Sequence, residues 1–342
     1  MNKLHFESDY IEGAHPAILK KLIQTNFEKS SGYGTDEYCE SAREKIRLEI
    51  GNPDADVYFL VGGTQCNATV LDALLKSYEG VLAADSGHIA IHEAGAVEQS
   101  AHKVLTIANR EGKLSADAVQ SYLENFYRDE NHEHMVPVGA VYLSYPTELG
   151  TLYSHKELQD IYTVCQKYGI YLFVDGARLG YGLMSAEGMS MKELADSCDV
   201  FYIGGTKVGA LFGEAVVFRN RKICPKFFTI MKRHGALLAK GRILGIQFDC
   251  LFTDGLYYTI SLHALKMAAR LQEIFLEKGY EEYYASPTNQ KFFVLSETEY
   301  DELSEKVGFS FWEKLNDGRI VVRLAASWAT REEDVEALKE IL

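Results

Sequence analysis

Two segments place a reactive side chain at the end of an apolar run. Leu172-Phe-Val-Asp-Gly-Ala-Arg-Leu179 leads into the carboxylate of Asp175, and Tyr202-Ile-Gly-Gly-Thr-Lys-Val208 leads into the amine of Lys207. In an α/β sheet, strand ends are where ligands and chemistry are placed. An amine at one strand end and a carboxylate at a neighbouring one suit pyridoxal phosphate (PLP). The lysine forms a Schiff base with the cofactor aldehyde, and the carboxylate partners the pyridinium nitrogen, making the ring an electron sink. Each feature has a plainer reading alone: a solvated lysine in a Gly-rich turn, an ordinary Asp-Gly turn. Their joint placement after two apolar runs points to a site. Gly204-Gly-Thr-Lys207 lacks the spacing of a P-loop.

Two further segments could complete such a site. Phe59-Leu-Val-Gly-Gly-Thr-Gln-Cys-Asn-Ala68 reads as strand, glycine turn and helix start. Free N–H groups and a positive dipole end there could hold a phosphate at Gly63 and Thr64. The plainer reading is a strand-to-helix turn with Thr64 as N-cap. Asp85-Ser-Gly-His88 follows the next apolar run, and His88 could lie flat against a cofactor ring or be a surface-loop histidine. His88 and His92 are four apart, but Ile89 stands where H-E-x-x-H needs Glu and no third ligand is evident, so no metal is expected. No Cys-His or Ser-His-Asp pattern stands out.

These segments sit in an alternating frame. Strands are expected at Val57–Val61, Val81–Ala84, Val104–Ile107, Ala140–Ser144, Tyr171–Val174, Val200–Ile203 and Ala215–Phe218. Helices are expected between them, such as Lys156–Tyr168 with Ser154 as N-cap and Gly169 as stop, and Ala116–Tyr127 after Ser115. Strands separated by helices imply a mostly parallel sheet covered on both faces. After about Gly245 the pattern changes to a long helix (Gly255–Lys278), strands at Phe292–Leu295, Phe309–Phe311 and Ile320–Leu324, and a closing helix Arg331–Leu342. The expected organisation is an N-terminal arm (1–34) with no clear place in the sheet, a large α/β domain (35–244) and a small α+β domain (245–342).

Composition bounds the function. The chain has 342 residues, 47% hydrophobic, enough for a substantial core. A net charge of −14 argues against a nucleic-acid backbone as partner. Six scattered cysteines without a C-x-x-C pair are expected as reduced thiols in the cytoplasm. No signal peptide is expected, and no uncharged apolar run approaches the ~18 residues of a membrane span.

Gly62-Gly-Thr64, Ala84-Asp-Ser-Gly-His88, Val174-Asp-Gly-Ala-Arg178 and Thr206-Lys207 occur in the order and approximate spacing of L-threonine aldolases. The chain therefore resembles that group of β-eliminating lyases, fold-type I PLP enzymes, from Ser8-Asp9 to Arg323-Leu324. The resemblance implies Lys207 as Schiff-base lysine, Asp175 as pyridine-nitrogen partner and His88 as ring-stacking histidine. Gly63, Thr64 and Thr206 would hold phosphate; Ser8, Arg178 and Arg323 would hold the substrate carboxylate, for which a guanidinium fork is suited. Taken alone, Arg323 in Ile320-Val-Val-Arg-Leu324 reads as an outward-facing strand residue. Tyr33, Lys240 and Arg242 match positions that can reach an adjoining subunit, implying a homodimer or homotetramer.

Two departures stand out. The family's Thr-His-Asn stretch, whose histidine is associated with the substrate hydroxyl, is replaced by Ser144-Tyr-Pro-Thr-Glu-Leu149. Glu7-Ser-Asp-Tyr10 lacks the usual basic residue and threonine around Ser-Asp. The expected activity is retro-aldol cleavage of a small β-hydroxy-α-amino acid, threonine or allo-threonine, to glycine and an aldehyde, with His88, Glu148 or an ordered water as base. Another PLP lyase, a transaminase, or a PLP-binding or interaction protein with little turnover remain open on the residues alone.

Overall fold

The computed structural model describes residues 3–342. Its thirteen strands are β1 (Leu4–His5), β2 (Asp56–Leu60), β3 (Gly80–Ala84), β4 (Val104–Ile107), β5 (Val138–Ser144), β6 (Tyr171–Asp175), β7 (Val200–Gly204), β8 (Glu214–Phe218), β9 (Glu281–Tyr284), β10 (Gln290–Leu295), β11 (Val307–Gly308), β12 (Ser310–Lys314) and β13 (Ile320–Ala325). Seven of them form the central sheet in the order β2-β8-β7-β6-β5-β3-β4. The pairs from β4 through β7 are parallel, and β8 runs antiparallel to both β7 and β2.

The central strands are apolar on both faces because helices cover both. Val141, Leu143, Leu172, Val174, Phe201 and Ile203 enter one core, while Ala140, Tyr142, Phe173, Val200 and Tyr202 enter the other. This alternation fixes where the polar ends point. Asp175 shares the face of Phe173, and the registers Ser144↔Asp175 and Val174↔Phe201 set it close to Tyr142 and beside Tyr202.

Local signals govern the helix ends. Ser154 caps His155–Tyr168 in a reciprocal capping box with Glu157, and Gly169 closes the helix at φ 66°. Ser115 caps Ala116–Arg128 through the Ala118 N–H. The change of pattern at Gly245 falls inside the helix Arg242–Leu251. Glycine is needed there because a Cβ would lie 2.5 Å from the Cys39 backbone nitrogen, where this helix crosses Glu37–Glu49.

The second sheet, β12-β13-β10-β9, is antiparallel. The helix Leu256–Glu277 serves both sheets: Tyr257, Ile260 and Ala264 join the central core, whereas Leu271 and Phe275 pack with Phe293 and Leu324. The strand expected at Phe309–Phe311 is instead β12, reaching Lys314 through a register shift between Phe311 and Glu313. The N-terminal segment, for which no sheet partner was expected, pairs β1 in parallel with β11 and buries Phe6 in the small core. The Ala325 N–H also donates to the Phe6 carbonyl at 2.8 Å. Two strand residues, Leu4 half-buried and His5 exposed, are too few for a sequence pattern to register. All six cysteines are free thiols, and among the described residues no helix is long and apolar enough to cross a membrane.

Candidate active site

Two adjoining cavities open at the ends of β5, β6 and β7. The inner one, about 330 Å³, has Asp175, His88, Lys207, Gly63 and Thr64 in its walls. The outer one, about 620 Å³, shares Tyr10, His88, Glu148, Arg178 and Lys207 with it and adds His92 and Arg323.

Asp175 is buried and accepts four hydrogen bonds. Oδ2 takes the Tyr142 hydroxyl at 2.6 Å and Asn67 Nδ2 at 3.0 Å; Oδ1 takes the Ala177 N–H at 2.9 Å and the Tyr202 hydroxyl. Burial pushes its pKa up, but the His88 charge and these donors outweigh it and hold the pKa below the ordinary carboxylate value. A fixed negative charge results at a strand end. His88 begins a one-turn helix, His88–Ile91, and its Nδ1 lies 2.7 Å from Glu93 Oε1. Burial lowers the His88 pKa, and the Glu93 and Asp175 carboxylates more than restore it, so its net shift is upward. Asn67 Nδ2 donates to Glu93 as well, at 2.6 Å, linking the two carboxylates.

Lys207 follows β7 through Gly205 and Thr206. Burial and the Arg178 charge lower its pKa against the pull of Asp9, Asp175 and Glu214. Glu214, buried at the start of β8, accepts from Thr206 Oγ1 at 2.8 Å and Gly205 N–H at 3.0 Å, and burial raises its pKa. The Thr206 hydroxyl, expected on a phosphate, donates to Glu214 and accepts from the Gly213 N–H at 3.0 Å. It shapes the lysine turn.

At the opposite wall, the helix Gly63–Leu74 has Gly62 as N-cap and no side-chain cap. Thr64 therefore sits within the first turn and is not the N-cap. The first N–H groups of an uncapped helix, with its positive end, suit a phosphate. An uncapped helix end, an ionised carboxylate and a buried amine in one cavity are the donor set that PLP requires, and the residues fit it.

Arg178 and Arg323 both reach the outer cavity. Arg178 is held by Asp9 through Nε–Oδ2 at 2.6 Å and Nη2–Oδ1 at 3.0 Å, which leaves Nη1 for a ligand. Arg323 donates to Gln290 Oε1, Ser310 Oγ and the Glu7 carbonyl at 3.1–3.3 Å, while its buried Nε has no partner among the described residues. Burial and the Arg178 charge lower its pKa to about 10. The Ser8 hydroxyl is buried and, among the described residues, likewise unpartnered. Such orphaned donors are costly unless a ligand satisfies them.

Tyr33, Lys240 and Arg242 line neither cavity. They lie together elsewhere: the Tyr33 N–H donates to the Ala239 carbonyl at 3.2 Å, and Arg242 donates to the Glu28 and Thr25 carbonyls. Several site residues escaped sequence reasoning. Glu214, a charge opening the apolar run Glu214-Ala-Val-Val-Phe218, and Asp9, next to Ser8, carried a local signal. Asn67, Glu93, Tyr142 and Tyr202 carried none.

The beta-eliminating lyase family model matches residues 5–298. A low specificity L-threonine aldolase of Pseudomonas sp. (strain NCIMB 10558) is 30% identical, with 97% of this chain and 95% of that protein covered. A solved Leishmania major threonine aldolase is 40% identical, with a TM-score of 0.94 over 99% of each chain. Thermus thermophilus aspartate aminotransferase, at 14% identity, 99% of this chain and 91% of that one covered and a TM-score of 0.73, shares the fold-type I architecture. Likeness over nearly the whole length, together with a cavity chemically suited to the cofactor, places the chain in the beta-eliminating lyase family, among the PLP-dependent threonine aldolases.

Proposed function

We propose that this enzyme cleaves the Cα–Cβ bond of threonine or allo-threonine, giving glycine and acetaldehyde. The observation that carries this reading is the meeting of the two cavities at Lys207: an amine and a fixed carboxylate lie on one side, two guanidinium groups on the other. PLP, when bound, supplies the electron-withdrawing ring that makes the bonds at an amino acid's Cα labile.

The side chains have separable tasks. Lys207, its pKa lowered by burial, offers an amine that can become uncharged and so nucleophilic. Asp175, its charge held by four donors, would partner the ring nitrogen of bound PLP and stabilise charge developing there. His88, anchored by Glu93, forms the wall against which a ring can lie. Gly63 and Thr64 offer the helix end to the phosphate. Arg323, with Arg178 Nη1 and the Ser8 hydroxyl, would hold the substrate carboxylate and so orient the bonds at Cα.

The exposed side chains of Ile23 (75%) and Phe27 (94%), flanking the carbonyls that Arg242 grips, support a homo-oligomeric contact through that face, to which Tyr33, Lys240 and Arg242 would contribute. The six free thiols support a reducing, cytoplasmic setting.

The test is a panel of β-hydroxy and other amino acids assayed for aldehyde, glycine and keto acid. Stoichiometric glycine and aldehyde from threonine or allo-threonine are expected. Keto acid without aldehyde would replace this reading with transamination.

A further inference from the structure

The outer cavity contains a second histidine besides His88. His92 follows the helix His88–Ile91, its backbone N–H closing on the His88 carbonyl at 2.8 Å. Its ring lies 5.6 Å from that of His88, in the same wall as Lys207, Arg178 and Arg323. Among the described residues, none makes a hydrogen bond to its ring nitrogens, and the side chain is open to the cavity mouth.

The other groups able to take a proton from a substrate hydroxyl each hold a partner at one ring nitrogen or one oxygen, whereas neither His92 ring nitrogen is bonded among the described residues. His88 Nδ1 is held by Glu93 at 2.7 Å. Glu148 Oε1 accepts from Ser144 Oγ at 2.6 Å and the His88 N–H at 2.9 Å. Thr147, the other residue standing where the family resemblance leads one to expect a histidine, is buried and turned to Thr151 Oγ1 at 2.7 Å. The charged groups sharing the cavity with His92 are His88, Lys207, Arg178 and Arg323, with Glu148 as the carboxylate. Burial, then the charges of His88 and Arg323, lower the His92 pKa. A neutral imidazole can accept a proton near pH 7.

We propose that His92 is the base that takes the β-hydroxyl proton of the bound amino acid, an inference that rests on the cleavage reading above. The O–H bond breaks and its proton passes to an unprotonated imidazole nitrogen. The electron pair left on oxygen forms the C=O bond of the aldehyde as the Cα–Cβ bond breaks, and the electrons of that bond remain with Cα. A proton from solvent then completes glycine, and His92 returns its own proton to water at the cavity mouth.

The experiment compares His92→Asn and His92→Phe with the wild-type holoenzyme in two reactions. One is aldehyde release from threonine and allo-threonine. The other is exchange of the glycine α-proton into deuterated water, followed by NMR, which uses the same cofactor and carboxylate grip but involves no β-hydroxyl. Loss of a general base predicts a fall in kcat for aldehyde release of roughly 100-fold or more, with glycine exchange and the cofactor spectrum within about twofold of wild type. Aldehyde release within about threefold of wild type, or exchange falling in parallel with cleavage, overturns the assignment. A wild-type enzyme that exchanges glycine but cleaves no β-hydroxy amino acid overturns the cleavage reading itself.

Discussion

Arg178 and Asp9, 169 positions apart in the chain, form a buried bidentate ion pair at the rim of the active site. Asp9 also accepts from Asn289 Nδ2 at 2.9 Å, and that same amide donates to the Ala326 carbonyl at 2.8 Å. One carboxylate thus ties the N-terminal segment to the end of the central sheet and to the small sheet. It also orients Arg178 so that the Nη1 edge, with the second N–H of Nη2, is left for a ligand.

Breaking this pair has a stability consequence with a defined pH window. Burial pushes the Asp9 pKa up, but Arg178, Lys207 and Asn289 bring it down to about 2. A depressed folded-state pKa means the contribution is complete above the unfolded value of about 4 and is lost as pH falls towards 2. Asp9→Asn should therefore be less stable than wild type by ~2 kcal/mol at pH 7, with the gap closing between about pH 4 and 2. Urea unfolding across that range measures it; a gap independent of pH would mean Asp9 carries no shifted titration.

Lys207→Ala should remove the visible absorption band of lysine-bound cofactor and abolish cleavage while leaving the far-UV circular dichroism unchanged. Among the described residues, Lys207 is the one lysine in the walls of both cavities. Persistence of the band at normal intensity would assign the anchor to another lysine.

Asp175→Asn should lower kcat by about 100-fold or more, the scale for losing one preorganised electrostatic contact. The amide keeps the volume and retains an acceptor for the Tyr142 or Tyr202 hydroxyl, so cofactor content measured after dialysis should stay close to wild type. Near-normal turnover at full occupancy would remove Asp175 from its proposed task.

Arg323→Ala should raise KM and lower kcat/KM strongly, with cofactor content largely kept. Arg323→Lys should recover only part of the loss, because an ammonium lacks the planar fork. Steady-state kinetics on threonine decides the matter: unchanged constants in the folded Arg323→Ala protein would leave this arginine as a strand residue bound to Gln290 and Ser310.

Reading the chain alone worked where physics is local. An apolar run followed by glycines and one charged residue announces a buried strand and the turn after it, so β6 with Asp175 and β7 with Lys207 were legible. Ser154 and Gly169 marked their helix because caps act within one turn. The tertiary structure decided what lies across from what. Asn67 bridges Glu93 and Asp175, 108 positions from the latter, and no local pattern encodes that bond. The Thr206 hydroxyl turned to Glu214 because the antiparallel pairing Gly204↔Glu214 brought a buried carboxylate beside the lysine turn. Strand and helix signals decay within a few residues, whereas a site assembled from β5, β6, β7, β13 and the N-terminal segment depends on contacts that form only when the sheets pack. The sequence by itself therefore determined the cofactor chemistry, through residues at strand ends. Which arginine edge is free, and that His92 shares a cavity wall with Lys207 and Arg323, were decided by burial and pairing in the folded chain.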